Sequence, residues 1–257
     1  MPRVVVMQKI ILPTTLVVAS LLTFSAHAEM TYSFGNVSIN YLEWDADTEV
    51  KTGRNKEDFS YLEIEGGAGF NWGEVYGFYD FEEWDKNSDK HRFFGKGNVR
   101  YFLGDQGWHL FGQVSDFRTK DFDETNTFLG IGKSFNFSNG LWLKAHAAIH
   151  HSFQSDKYGS FDGHNGYQLG VVWGKDFSAL GQNFTVAQWH EYDFMRDDHY
   201  MASHDGSPNT SGYNGAISGW WHVTDHFDVG VQYRYADDYL GSPTYQNGTI
   251  LSLKYNF

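Results

Sequence analysis

The sequence has no cysteine and only four prolines. Without cysteine, an exported chain of this size has no disulfides, and its stability must come from hydrogen-bonded structure that closes on itself. Pro2, Pro13, Pro208 and Pro243 lie near the start or in polar, glycine-containing segments, so none breaks a candidate strand. Beyond residue 28 no apolar run approaches the roughly 18 residues that a transmembrane helix needs, which excludes helical spans. Basic residues are also scarce. The formal charge of -13, from 19 Lys and Arg against 32 Asp and Glu, argues against nucleic acid as a partner.

What is present begins with an export signal. Arg3 and Lys9 supply a positive start, residues 10–24 an apolar core of about fifteen residues, and Ala26-His27-Ala28 a small-residue cleavage site. The core is short for a membrane anchor and Pro13 interrupts it. The expectation is a signal peptide over 1–28 and a mature chain over 29–257. That chain is rich in Phe, Tyr, Trp and Gly, the mixture expected of twisted strands with aromatic girdles.

Its last segment, 247–257, sets Leu251, Leu253, Tyr255 and Phe257 on one parity and Ser252, Lys254 and Asn256 on the other. Successive strand side chains point to opposite faces, so this strand has one apolar and one polar side, and lipid is the simplest cover for the apolar one. The same alternation recurs over 36–44, 59–72, 74–82, 91–103, 108–115, 125–137, 141–150, 167–173, 183–194, 213–222 and 227–235. In 183–194 either parity places a polar residue outside, and no face is assigned there.

Links after even-numbered segments are short, at 71–73, 104–107, 138–140, 176–181 and 223–226. Those after odd-numbered segments are longer, polar and acidic, at 45–58, 116–124, 154–165, 196–211 and 236–245, with 84–90 shorter. Such sorting predicts an all-β fold: a transmembrane up-and-down antiparallel β-barrel of about 12 strands, with short periplasmic turns and long extracellular loops. The last strand should pair with the first, leaving no open edge. A soluble lipocalin-type barrel has about eight strands and no cause to place Tyr and Trp at strand ends.

About twelve strands enclose a narrow lumen, between the filled interior of eight and the aqueous channel of sixteen. The alternation turns Tyr61, Glu63, Glu65, Tyr76, Phe78, Asp80, Phe94, Lys96, Arg100, Trp142, His146, Trp220 and Arg234 inward. Aromatics with both signs of charge suit a solute with a flat ring and several hydroxyls. Stacking worth on the order of 1–3 kcal/mol gives the weak, reversible capture that conduction requires. Two plainer roles stand beside this: the rings fill the lumen, and the charges neutralise one another along the wall.

The block Tyr61-Leu62-Glu63-Ile64-Glu65, Trp72 and Tyr76-Gly77-Phe78-Tyr79-Asp80 resembles the second and third strands of the Tsx-like nucleoside-specific channel-forming outer-membrane proteins of the OmpK type. Gly166-Tyr167-Gln168 and the closing Tyr255-Asn256-Phe257 are similar too. The resemblance covers most of the mature chain in strand order and is tight over 58–84. It implies a monomeric barrel in the outer membrane of a Gram-negative bacterium, among lipid and lipopolysaccharide, that passes nucleosides and deoxynucleosides by diffusion. It further implies outer loops that serve phage or colicin attachment. The substrate role it implies falls on Tyr61, Glu63, Tyr76, Phe78 and Asp80 alone.

Catalysis is not expected. His150-His151-Ser152 has the His-x-Ser spacing of barrel lipid hydrolases, but His150 and Ser152 share the inward parity and no Asn-Gly follows. Gly130-Ile131-Gly132-Lys133-Ser134 ends like a phosphate loop, yet Thr127 stands where the first glycine is required. Asp197, Asp198, His199, His204 and Asp205 read as a solvated acidic loop rather than a metal site, and no cofactor is expected.

Overall fold

The computed structural model describes residues 28–53, 56–156, 160–204 and 209–257, so the expected signal lies, but for Ala28, outside the described residues. Twelve strands follow in order: β1 Met30–Trp44, β2 Phe59–Phe70, β3 Gly73–Glu82, β4 Arg92–Phe102, β5 Trp108–Arg118 and β6 Phe122–Asn136, then β7 Leu141–Asp156, β8 Ser160–Ala179, β9 Gln182–Phe194, β10 Gly212–His222, β11 Phe227–Asp237 and β12 Gln246–Asn256. Two short helices sit in the connections, α1 Ala46–Lys51 and α2 Asp198–His204.

Each strand pairs antiparallel with its sequence neighbours, and β12 closes on β1. That seam runs from Asn36 opposite Asn256 to Trp44 opposite Gly248, and the Phe257 N–H donates to the Gly35 carbonyl at 3.0 Å. Closure satisfies the edge amides that lipid cannot. The terminal alternation predicted this pairing.

Burial is inverted relative to a soluble protein. Val37, Ile39, Leu62, Ile64, Leu129, Ile149, Val231 and Leu253 are exposed on the outside, while Asn36, Ser38, Asn40, His109 and Gln168 are buried within. Rings pair near both rims, such as Phe70 on Trp72 at 5.3 Å near one and Phe81 on Phe93 at 5.0 Å towards the other.

Three features differ from the sequence reading. The expected loops at 116–124 and 154–165 are mostly strand. Arg118 and Thr125 both bond to Asp116, carrying β5 and β6 on as polar strands, and β7 pairs with β8 as far as Ser155 opposite Ser160. The register of that last pair slips between Ile149 and His151, giving β8 one extra residue at a bulge where Gly166 has φ +76. β1 also starts six residues before the expected segment, at Met30, and pairs with β2 as far as Phe70.

The face of β9 is now fixed. Ala187, Trp189, Glu191 and Asp193 point inward, and Val186, Gln188, His190 and Tyr192 outward, following Leu169 opposite Tyr192 and Trp173 opposite Gln188. The outward polar groups are satisfied by neighbours. Trp173 Nε1 donates to Gln188 at 2.7 Å, and the Tyr235 hydroxyl bonds both Gln188 and His190 at 3.1 Å. Tyr235 reaches them by lying across β10 at Gly215, where a side chain would collide with its ring.

Candidate functional site

The lumen is built by strand parity, and every inward side chain read from the sequence does point inward. On β3 and β4 the rings of Tyr76 and Phe78 lie 6.2 Å apart, and those of Phe78 and Phe94 5.6 Å apart. They form a half-buried aromatic strip along one wall. Its lower end is held by hydrogen bonds: Tyr76 donates to Glu65 at 2.7 Å, and Glu65 also accepts from Asn36 at 2.9 Å and Lys254 at 3.0 Å. The Lys254 ammonium lies 4.0 Å above the Trp220 ring. Tyr61 stands apart from the strip, in a buried cluster with Leu42, Trp44, Phe59 and Ile250.

Most lumenal charges are paired. Glu74 of β3 accepts from Arg100 at 3.2 Å and from Lys144 of β7 at 2.6 Å. Lys96 of β4 crosses to Glu191 of β9 at 2.8 Å. Trp189 lies between two cations, Lys96 at 5.1 Å and Arg234 at 4.7 Å, and Arg234 donates to the Gly215 carbonyl at 2.9 Å. For Glu65, Lys96 and Arg100, mutual neutralisation is therefore part of the role. Glu63 and Asp80 differ: they are register partners on β2 and β3, and no Lys, Arg or His comes within ion-pair distance of either among the described residues.

The opposite wall is packed. His146 stacks on Phe111 at 3.8 Å and bonds to Gln168 at 3.1 Å, and Gln168 donates to Asp193 at 2.9 Å. His146 and Trp142 lie flat over Gly170 and Gly174 of β8, where a Cβ would meet their rings. Trp142 also carries Lys144 at 5.5 Å. His150 stacks on Phe128 at 4.3 Å and bonds to Asn126 at 2.8 Å, so it and buried Ser152 sit inside the barrel, away from lipid.

The mouth opposite the chain termini is narrowed by two folded loops. From α2, Tyr200 and Met201 are buried, and Tyr200 donates to Glu124 at 2.5 Å. Asp197 caps the helix by accepting from the His199 N–H at 2.8 Å, while Asp205 of the same acidic group lies outside the described residues. In the β11–β12 loop, Tyr239 donates to Asp193 at 2.8 Å, and burial, reinforced by that carboxylate, raises its phenol well above the ordinary value.

Phe111, Phe128, Trp189 and Glu191 were not foreseen as lumenal. The first two are apolar residues on inward parity, which a polar-inside rule passes over. The other two lie on the strand whose face was left open, although two carboxylates on one parity against neutral Gln188 and His190 on the other was a usable signal.

The sequence matches the family described as "Nucleoside-specific channel-forming protein, Tsx" over residues 39–257. Among solved structures the chain is similar to the NanC porin, at 11% identity and a TM-score of 0.53 over 85% of this chain and 98% of that one. It is also similar to the KdgM porin, at 9% identity and 0.48 over 86% and 99%, and to the outer membrane channel DcaP of Acinetobacter baumannii, at 14% and 0.44 over 91% and 98%. At such identities the likeness concerns the fold alone.

Proposed function

The chain belongs to the nucleoside-specific channel-forming protein family, Tsx, and is an outer-membrane β-barrel channel of a Gram-negative bacterium; on that premise we propose that its lumen selects nucleosides and deoxynucleosides by weak contacts along the β2–β4 wall. The observation that supports this most is the aromatic strip of Tyr76, Phe78 and Phe94 beside the cation-free carboxylates of Glu63 and Asp80. A base slides from ring to ring, each stack worth on the order of 1–3 kcal/mol, while its sugar hydroxyls donate to the carboxylates. Several modest sites in series let the solute leave as readily as it enters.

In this reading Glu65, Lys96, Arg100, Trp142, His146, Trp220 and Arg234 shape the path and exchange hydrogen bonds with the passing solute. Tyr61 guards the outer end. The mature protein, freed of residues 1–28, acts as a monomer in lipid and lipopolysaccharide. The test is competitive uptake by proteoliposomes: adenosine and thymidine should enter faster than a sugar of similar size, and equal rates would overturn the reading.

A second reading is a surface receptor for phage or colicin with little solute flux. It is favoured by the burial of Tyr200 and Met201 in the mouth. It predicts no uptake of any solute, together with loss of phage adsorption when 196–211 is deleted.

A further inference from the structure

Among the described residues the lumen carries one carboxylate pair that no cation contacts directly, Lys254 acting on Glu63 only from beyond ion-pair distance. Glu65, Glu74, Glu82 and Glu191 each hold a Lys or Arg nitrogen at 3.0, 2.6, 2.9 and 2.8 Å respectively. Glu63 and Asp80, opposite each other on β2 and β3, have none among the described residues. Their side chains share the inward face as direct register partners, and the Ser38 hydroxyl donates to Glu63 at 3.5 Å. Two carboxylates so placed must share a proton or hold a cation, because like charges at contact cannot both stay bare.

The second observation concerns Asp80 alone. Its side chain is only 7% exposed, and its Oδ1 has no hydrogen-bond donor. A buried oxygen without a partner is costly, and a ligand that supplies positive charge removes that cost. The lumenal cations are screened by comparison, Lys254 lying over Trp220 and Lys96 and Arg234 over Trp189. A permeating ion therefore meets carboxylates without an ion-pair partner beside cations that already have partners.

We propose that Glu63 and Asp80 form a lumenal binding site for a monovalent cation, an alkali ion or a primary ammonium, which takes the place of the shared proton and makes the channel cation-selective. Divalent ions want six or more oxygen ligands, and among the described residues no group of three His, Asp or Glu side chains is placed to hold a metal. This goes beyond nucleoside selection and does not depend on it, although the same two carboxylates serve both.

The experiment is the reversal potential of the full-length mature barrel in a planar bilayer across a KCl gradient. The wild type should reverse at a potential of the cation's sign, and E63Q combined with D80N should move it towards zero with a several-fold fall in the potassium-to-chloride permeability ratio. A wild-type reversal at zero or of the anion's sign, or a ratio unchanged in the double variant, overturns the proposal. Should that variant fail to insert, the wild type decides alone: methylammonium added at constant chloride should reduce potassium current to a saturating level, and a purely linear dependence overturns the site. Nucleoside preference, measured separately without a gradient, can fail while cation selectivity stands, and the reverse.

Discussion

The two walls of the lumen obey one alternation and end in opposite states. Along β5–β9, His109, Phe111, Phe128, His150, Gln168 and Asp193 are all at most 2% exposed, locked in stacks and hydrogen bonds. Along β2–β4, Tyr61, Glu74, Asp80 and Arg100 are buried too, but Glu63, Tyr76, Phe78 and Phe94 remain half-buried. On the proposed function, the packed wall is scaffold and the half-buried strip is the surface offered to a solute. A polar-inside, apolar-outside rule does not separate these states, because it reports which way a side chain points and not what it then meets.

Three substitutions break or sharpen this contrast. The largest effect belongs to Glu74→Gln, which leaves Arg100 and Lys144 without their shared counter-ion. Removing one partner of a buried ion pair costs about 3–5 kcal/mol, read as a lower urea midpoint for unfolding from vesicles. Next comes Phe128→Ala on the packed wall, expected to cost about 3 kcal/mol in the same titration while the thymidine-to-sugar uptake ratio stays unchanged. The smallest is Phe78→Ala on the open wall, where stability should hold and the uptake ratio should fall by on the order of tenfold, the loss of roughly 1.4 kcal/mol of stacking. A fall in uptake preference with Phe128→Ala but not with Phe78→Ala would reverse the assignment of the walls.

Much of this was legible in the residues. Period-two alternation located the strands, the closing pair and every inward residue named from it, because lipid imposes one rule on all of them. The filling of the packed wall was not legible. Phe111 and Phe128 are apolar and yet point inward, because on the neighbouring strands β5, β6 and β7 they bury one another together with Ala148, as Leu42 and Ile250 do at the β1–β12 seam. The outward polar face of β9 was hidden for the converse reason: Gln188 is satisfied by its register partner Trp173 on β8, and both Gln188 and His190 by Tyr235, which reaches across β10 from β11. The pairing of Glu65 with Lys254, Glu74 with Lys144 and Glu191 with Lys96 was likewise invisible, since each of these bonds joins strands that are not neighbours in the sheet.

The absence of cysteine allows the walls to be compared directly, since a single introduced thiol is then the only one in the chain. Phe94→Cys and Phe128→Cys are exposed in vesicles to a membrane-impermeant thiol reagent, with and without thymidine. The account predicts rapid labelling of the first, slowed by thymidine, and negligible labelling of the second. Equal labelling of both, or labelling of the first that thymidine leaves unchanged, would contradict it.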